Sequence, residues 1–189
     1  MHIDSYGSTL KCHIEKEIGY KYDPGIDILS ILLEKDITPE FPREVMEEVM
    51  RIPEALQPKE YANRKDLRKL LTVTIDGEDA RDLDDAISIE KTEQGYRLYV
   101  HIADVSHYVT AGSALDKEAY ARGTSVYVVD RVVPMLPHAL SNGICSLNPK
   151  VDRCTLTCMM EINRKGTVID YQIYPSVINS DERMTYNGS

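Results

Sequence analysis

Between Ile75 and Asp85 the chain crowds six carboxylates and one arginine into eleven residues, Ile75-Asp76-Gly77-Glu78-Asp79-Ala80-Arg81-Asp82-Leu83-Asp84-Asp85. Apolar runs flank it, Leu70 to Ile75 before and Ala86 to Ile89 after. Carboxylates held this close raise one another's pKa unless a cation offsets the repulsion. Mg²⁺ suits such a donor set, because it takes near-octahedral oxygen coordination from one or two carboxylates, water and a substrate phosphate. Two such ions about 3.5 to 4 Å apart clamp the attacking and leaving oxygens of a phosphodiester displacement. The donors converge only in an irregular loop. In a regular strand Asp84 and Asp85 point oppositely, and in a helix Asp76 and Asp82 lie on different faces. Gly77 is the residue expected to permit that irregularity. An EF-hand is excluded: counting from Asp76, Glu78, Ala80 and Arg81 stand where Asp or Asn, Asp or Asn, and Gly are required. A solvated acidic turn with no ligand stays open as the plainer alternative.

The positioning elements are strands on both sides. After Leu71 the apolar period changes from near four to two. Thr72 to Ile75 leads into the loop, Ala86 to Glu90 leaves it, and Tyr96 to Val105 returns after a turn at Lys91 to Gly95. This antiparallel pair places Leu98, Val100 and Ile102 on one face, Tyr99, His101 and Ala103 on the other, and Asp104 near its end. Upstream, Asp23 is expected to cap a helix with Pro24 at its first position. Pro42 begins a second helix through Val45, Met46, Val49 and Met50, and Asn63 with Asp66 begins a third over Arg64 to Leu70. Downstream, Ser113 starts a helix that Gly123 ends. Thr124 to Val133 reads as a strand, Met135 to Pro149 as an ordered loop with a helical turn, and Arg153 to Asn163 with Thr167 to Asn179 as a hairpin. Asp181 to Ser189 reads as the start of a new element.

The whole chain has 189 residues, 42% hydrophobic and 28% charged, as expected of a globular protein with a real core. No apolar run of about 18 residues is present, and the opening residues lack the apolar centre of a signal peptide, so a cytoplasmic, non-membrane protein is expected. Four cysteines match no CxxC pair; Cys154 and Cys158 share a strand face and are read as small buried hydrophobes, not zinc ligands. The net charge of −9 argues superficially against a nucleic-acid partner. However, −5 of it sits in the acidic stretch, beside Lys59 to Leu71 with five basic and two acidic residues. Bound divalent cations would invert the local sign. His101, His107 and His138 are assigned packing or surface roles, since two-metal hydrolysis requires no histidine base.

The segment Thr74 to Ala86, TIDGEDARDLDDA, resembles the active-site signature of the ribonuclease II/ribonuclease R family of processive exoribonucleases. The likeness continues through His101-Ile102-Ala103-Asp104-Val105-Ser106, Arg122-Gly123-Thr124-Ser125-Val126-Tyr127, Pro134-Met135-Leu136-Pro137, Leu140-Ser141-Asn142-Gly143 and Cys145-Ser146-Leu147, spanning residues 23 to 186. The resemblance implies 3′-to-5′ hydrolysis of single-stranded or structured RNA to nucleoside 5′-monophosphates, with Mg²⁺, or alternatively Mn²⁺, as cofactor. Asp76, Asp82, Asp84 and Asp85 match the family's four catalytic, metal-holding aspartates. Tyr127 matches the tyrosine that packs on the terminal bases, a role suited to stacking on single strands; a core-filling strand aromatic is the alternative reading of that ring. Val129 departs from the family, many members of which have proline there.

The expected class is α+β: a helical linker followed by a mainly antiparallel sheet with short helices, an incomplete piece of the ribonuclease II-type catalytic domain. Residues 1–22 are expected to be the remnant of a cold-shock (OB-fold) domain, residues 23–71 the linker, and residues 72–189 the first part of the catalytic domain. Such a fragment is expected to be inactive by itself. Its unpaired sheet edges favour self-association, whereas the parent is expected to be monomeric. The competing function is a non-catalytic RNA-binding or interaction fragment that uses the basic run.

Overall fold

Two units divide the chain, Met1–Phe41 with Val126–Val133, and Pro42–Ser125 with Pro134–Ser189. The computed structural model describes residues 2–5, 11–14, 16–129 and 131–187. In the first unit β1 (His2–Ser5) pairs antiparallel with β2 (Lys11–His13); residues 1, 6–10 and 15 of the expected cold-shock remnant lie outside the described residues. Helix α1 (Ile26–Glu34) begins after Gly25, whose φ of 79° suits glycine. Asp23 does not cap it. Its carboxylate accepts from Tyr20 N at 2.9 Å instead, bracing the Tyr20–Asp23 turn that precedes Pro24, and Ile26 N closes the Asp-Pro-Gly turn on Asp23 O at 3.2 Å. Later in the chain the expected Thr124–Val133 strand is broken: β7 (Val126–Tyr127) folds back antiparallel on β8 (Val132–Val133).

In the second unit, α2 (Arg43–Val49) follows Pro42, and its Glu48 carboxylate accepts from Ala114 N and Leu115 N at the start of α4 (Ala114–Arg122). Ser113 caps α4 by accepting from Asp116 N, and Gly123 ends it, as the sequence leads one to expect. The helix expected over Arg64 to Leu70 is absent. A shorter one, α3 (Pro58–Tyr61), forms upstream, where Pro58 opens the helix and Gln57 and Glu60 make a reciprocal capping box. Lys65–Asp66 becomes strand β3, parallel to the end of a long strand, and Arg64 is drawn into a 2.6 Å ion pair with Asp104. Tertiary pairing overrides the local helical signal here. Among the described residues no helix is long and apolar enough to cross a membrane.

The remaining strands are β4 (Val73–Asp76), β5 (Asp85–Lys91), β6 (Gly95–Ala103), β9 (Asp152–Asn163), β10 (Val168–Asn179) and β11 (Glu182–Thr185). With β3 they form a seven-stranded sheet in the order β11-β4-β5-β6-β9-β10-β3. Its pairings are antiparallel except β11 on β4 and β3 on β10. Where a new element is expected from Asp181, Glu182–Thr185 joins this sheet as β11 beside β4, and residues 188–189 lie outside the described residues. Met135 to Pro149 contains the expected helical turn, Ala139–Ile144.

The core lies against the face that carries Tyr99, His101 and Ala103, together with Leu67, Leu83, Ala86, Leu147, Met159 and Ile178. On the opposite, more apolar face Ile102 is 48% exposed. The buried face tolerates polar groups because they satisfy one another across the strands. Thr72 Oγ1 meets Ser88 Oγ at 2.7 Å, and Ser88 Oγ meets His101 Nε2 at 3.0 Å. His101 Nδ1 meets Thr157 Oγ1 at 2.7 Å, and Ser176 Oγ joins Thr157 to Thr155.

Candidate active site

β4 and β5 register only at Val73 and Ile87, so the two strands part before they reach Asp76 and Asp85. The acidic loop fills the gap between their ends. Its last residues are tied back to the sheet, with Ala103 N donating to Asp84 O at 2.9 Å and Asp85 opposite Ile102 on β6. Leu83 is 1% exposed and anchors the loop in the core. Around it, Leu147 N donates to Leu83 O at 2.8 Å, Leu83 N donates to Ser146 Oγ at 3.1 Å, and Ser146 Oγ donates to Arg81 O at 3.1 Å. Arg153 braces that clamp from behind, giving hydrogen bonds to the carbonyls of Ser146 and Gly143.

The first turn of the loop is held differently. Ala80 N bonds to Gly77 O at 3.1 Å, and Arg183 on β11 donates to the carbonyls of Gly77 and Glu78. Gly77 itself has no left-handed φ, and a Cβ there would meet nothing within 4 Å. The irregularity expected of a glycine comes instead from carbonyls captured by distant side chains. Ser146, Arg153 and Arg183 are the site residues that local pattern did not single out; Cys145-Ser146-Leu147 stood out only as a motif.

The loop brings the four aspartates into one electrostatic neighbourhood. Loss of hydration pushes the Asp84 carboxyl above its ordinary range, and the charges of Asp82, Asp85 and Asp76 push it further. Asp76 is raised first by burial and then by Asp85; Asp82 adds to this and Arg183 opposes it. Asp82, Asp84 and Asp85 keep exposed surface, whereas Asp76 is half-buried with its Oδ2 buried and unbonded. Among the described residues no three His, Cys, Asp or Glu side chains are gathered closely enough to hold a metal ion. The donor chemistry nevertheless fits a hard divalent cation: the oxygens are carboxylate, mutually repelling, and one is buried without a partner.

Tyr127, on β7 of the other unit, is 71% exposed, so it does not fill a core. The basic run is largely committed within the fold: Arg64 pairs with Asp104, Arg68 with Asp66 and Asp152, and Lys65 lies 4.3 Å from the Tyr174 ring centroid. This leaves little support for the reading of the run as a nucleic-acid grip. His107 pairs with Glu60 at 3.0 Å and His101 is buried, in line with structural roles. Cys145 and Cys154 are buried free thiols and Cys158 a half-buried one.

Comparison with known proteins matches residues 64–188 to a family model described as RNB domain. Ribonuclease R 1 of Lactococcus lactis is 55% identical over 183 residues, covering 96% of this chain and 22% of that protein. Ribonuclease R of Thermotoga maritima is 54% identical over 185 residues, covering 96% of this chain and 26% of that protein. The solved structure of Mycoplasma genitalium RNase R in complex with double-stranded RNA matches with a TM-score of 0.91 at 36% identity, over 98% of this chain and 34% of that one. The chain thus spans about a quarter of the length of the curated relatives it matches.

Proposed function

This chain belongs to the RNB domain family, and from that premise we propose that it carries the aspartate loop of a processive 3′-to-5′ exoribonuclease that hydrolyses RNA to nucleoside 5′-monophosphates. The observation that carries this reading is the gathering of Asp76, Asp82, Asp84 and Asp85 in one loop fixed at both ends, where the charges of Asp82 and Asp85 act on both Asp76 and Asp84. Those four carboxylates are the residues that would hold Mg²⁺ or Mn²⁺. A bound divalent ion supplies Lewis acidity at the phosphate and a more acidic water.

The protein's own contribution is positional and electrostatic. The Ser146 and Arg183 contacts fix the loop backbone, so little reorganisation accompanies the reaction. The raised Asp84 and Asp76 carboxyls are those that gain most from a cation. Tyr127 offers an exposed ring on which a terminal base stacks.

Asp84→Asn, introduced into a ribonuclease carrying this segment, tests the reading. Mononucleotide release from labelled RNA falls by more than the about 10- to 100-fold typical of residues that only support a ligand, while RNA affinity measured in EDTA stays near wild type. Equal rates for the two proteins overturn the assignment of Asp84.

A further inference from the structure

One guanidinium shapes the entry to the acidic loop without bonding to the nearby carboxylate. Arg183 Nη2 donates to Gly77 O at 3.0 Å and to Glu78 O at 2.7 Å. The strand that presents it is registered on β4, with Arg183 opposite Thr74 and Thr185 opposite Asp76. Tyr186 N extends that ladder to Asp76 O at 3.3 Å. An arginine beside an aspartate ordinarily forms a charge-assisted, often bidentate pair. Here Asp76 Oδ2 and Arg183 Nε are each buried with no hydrogen-bond partner.

We propose that Arg183 is a positioning residue for the divalent-cation site. Its hold on two successive carbonyls sets the turn that leads from Asp76 into the loop. Nη2 donates to those carbonyls and not to Asp76, whose Oδ2 is left without a hydrogen-bond partner. A residue that merely closed the sheet edge would contribute to stability alone; this one couples the sheet edge to metal affinity. The assignment rests on the nuclease reading of the loop.

Mn²⁺ alone, titrated into the whole 189-residue chain and followed by electron paramagnetic resonance, tests it. Arg183→Met lowers Mn²⁺ affinity by about 10- to 100-fold, the range for residues that orient a ligand without touching the metal. Added methylguanidinium, which replaces the missing donor, recovers part of the loss in Arg183→Met and has no effect on wild type. Wild-type affinity in a folded Arg183→Met chain overturns the proposal, as does a loss that methylguanidinium leaves unchanged. Should Arg183→Met fail to fold in EDTA, Arg183→Gln decides by the same affinity criterion. A wild-type chain whose Mn²⁺ binding is indifferent to Asp84→Asn instead overturns the metal-site reading, and the role of Arg183 with it.

Discussion

Leu83 and Ser146, 63 residues apart, are joined by a hydrogen bond of 3.1 Å from the leucine N–H to the serine hydroxyl, which in turn donates to Arg81 O. Both residues are essentially inaccessible to solvent. Ser146→Ala removes the hydroxyl and strands a buried N–H, at a cost of about 2 kcal/mol. Urea denaturation checks this, and an unchanged midpoint would refute the clamp.

Asp84→Asn is expected to stabilise the metal-free chain. The folded state raises the Asp84 carboxyl through lost hydration and then through Asp82, Asp85 and Asp76, so its charged form opposes folding once pH exceeds the unfolded value of 3.8. A neutral isostere removes that opposition at neutral pH. Thermal melting in EDTA should therefore show a higher midpoint for Asp84→Asn, and the stabilisation by added Mn²⁺ should shrink. A lower midpoint in EDTA contradicts the electrostatic account.

His101 makes the fold acid-sensitive in a defined window. Burial lowers its pKa from 6.5 to about 4, so below pH 6.5 the unfolded chain takes up a proton that the folded chain refuses. Stability then falls as pH drops from 6.5 towards 4, and the full loss amounts to about 3 kcal/mol. Denaturation of wild type and His101→Gln at pH 7, 5 and 4 checks this. The variant should lose less stability between pH 7 and pH 4, and parallel profiles would rule the histidine out.

Tyr127→Ala should leave the melting temperature nearly unchanged, because the ring is already mostly in water. In a ribonuclease carrying this segment it should weaken single-stranded RNA binding by about 1 to 3 kcal/mol, the worth of one base–aromatic stack. Fluorescence anisotropy with a labelled oligonucleotide reads this directly, and equal affinities would remove Tyr127 from the RNA contacts.

Much of the fold was legible in residue pattern because period-two runs, turn residues and caps act locally. The β5–β6 pair, the Asp152–Asn179 hairpin and the Ser113–Gly123 helix all lie close to where those signals put them. Arg64 to Asp66 was misread because its structure depends on Asp104 and on Ser176–Val177, neither of which local periodicity reports. The buried face was likewise hidden: Thr72, Ser88, His101, Thr157 and Ser176 look polar one by one and become core only as a hydrogen-bonded row. In the site, the crowding of the carboxylates was visible in eleven residues, whereas the side chains that fix their backbone come from other strands and loops.

The partnership of Gly77 with Arg183 spans 106 positions. At typical translation rates of roughly 5 to 20 residues per second, the acidic segment leaves the ribosome about 5 to 20 s before the arginine that holds its first turn. For that interval the segment is a charged, solvated tether with its entry turn unmade. The entry turn of the acidic loop is therefore a late product of synthesis, made only when β11 arrives.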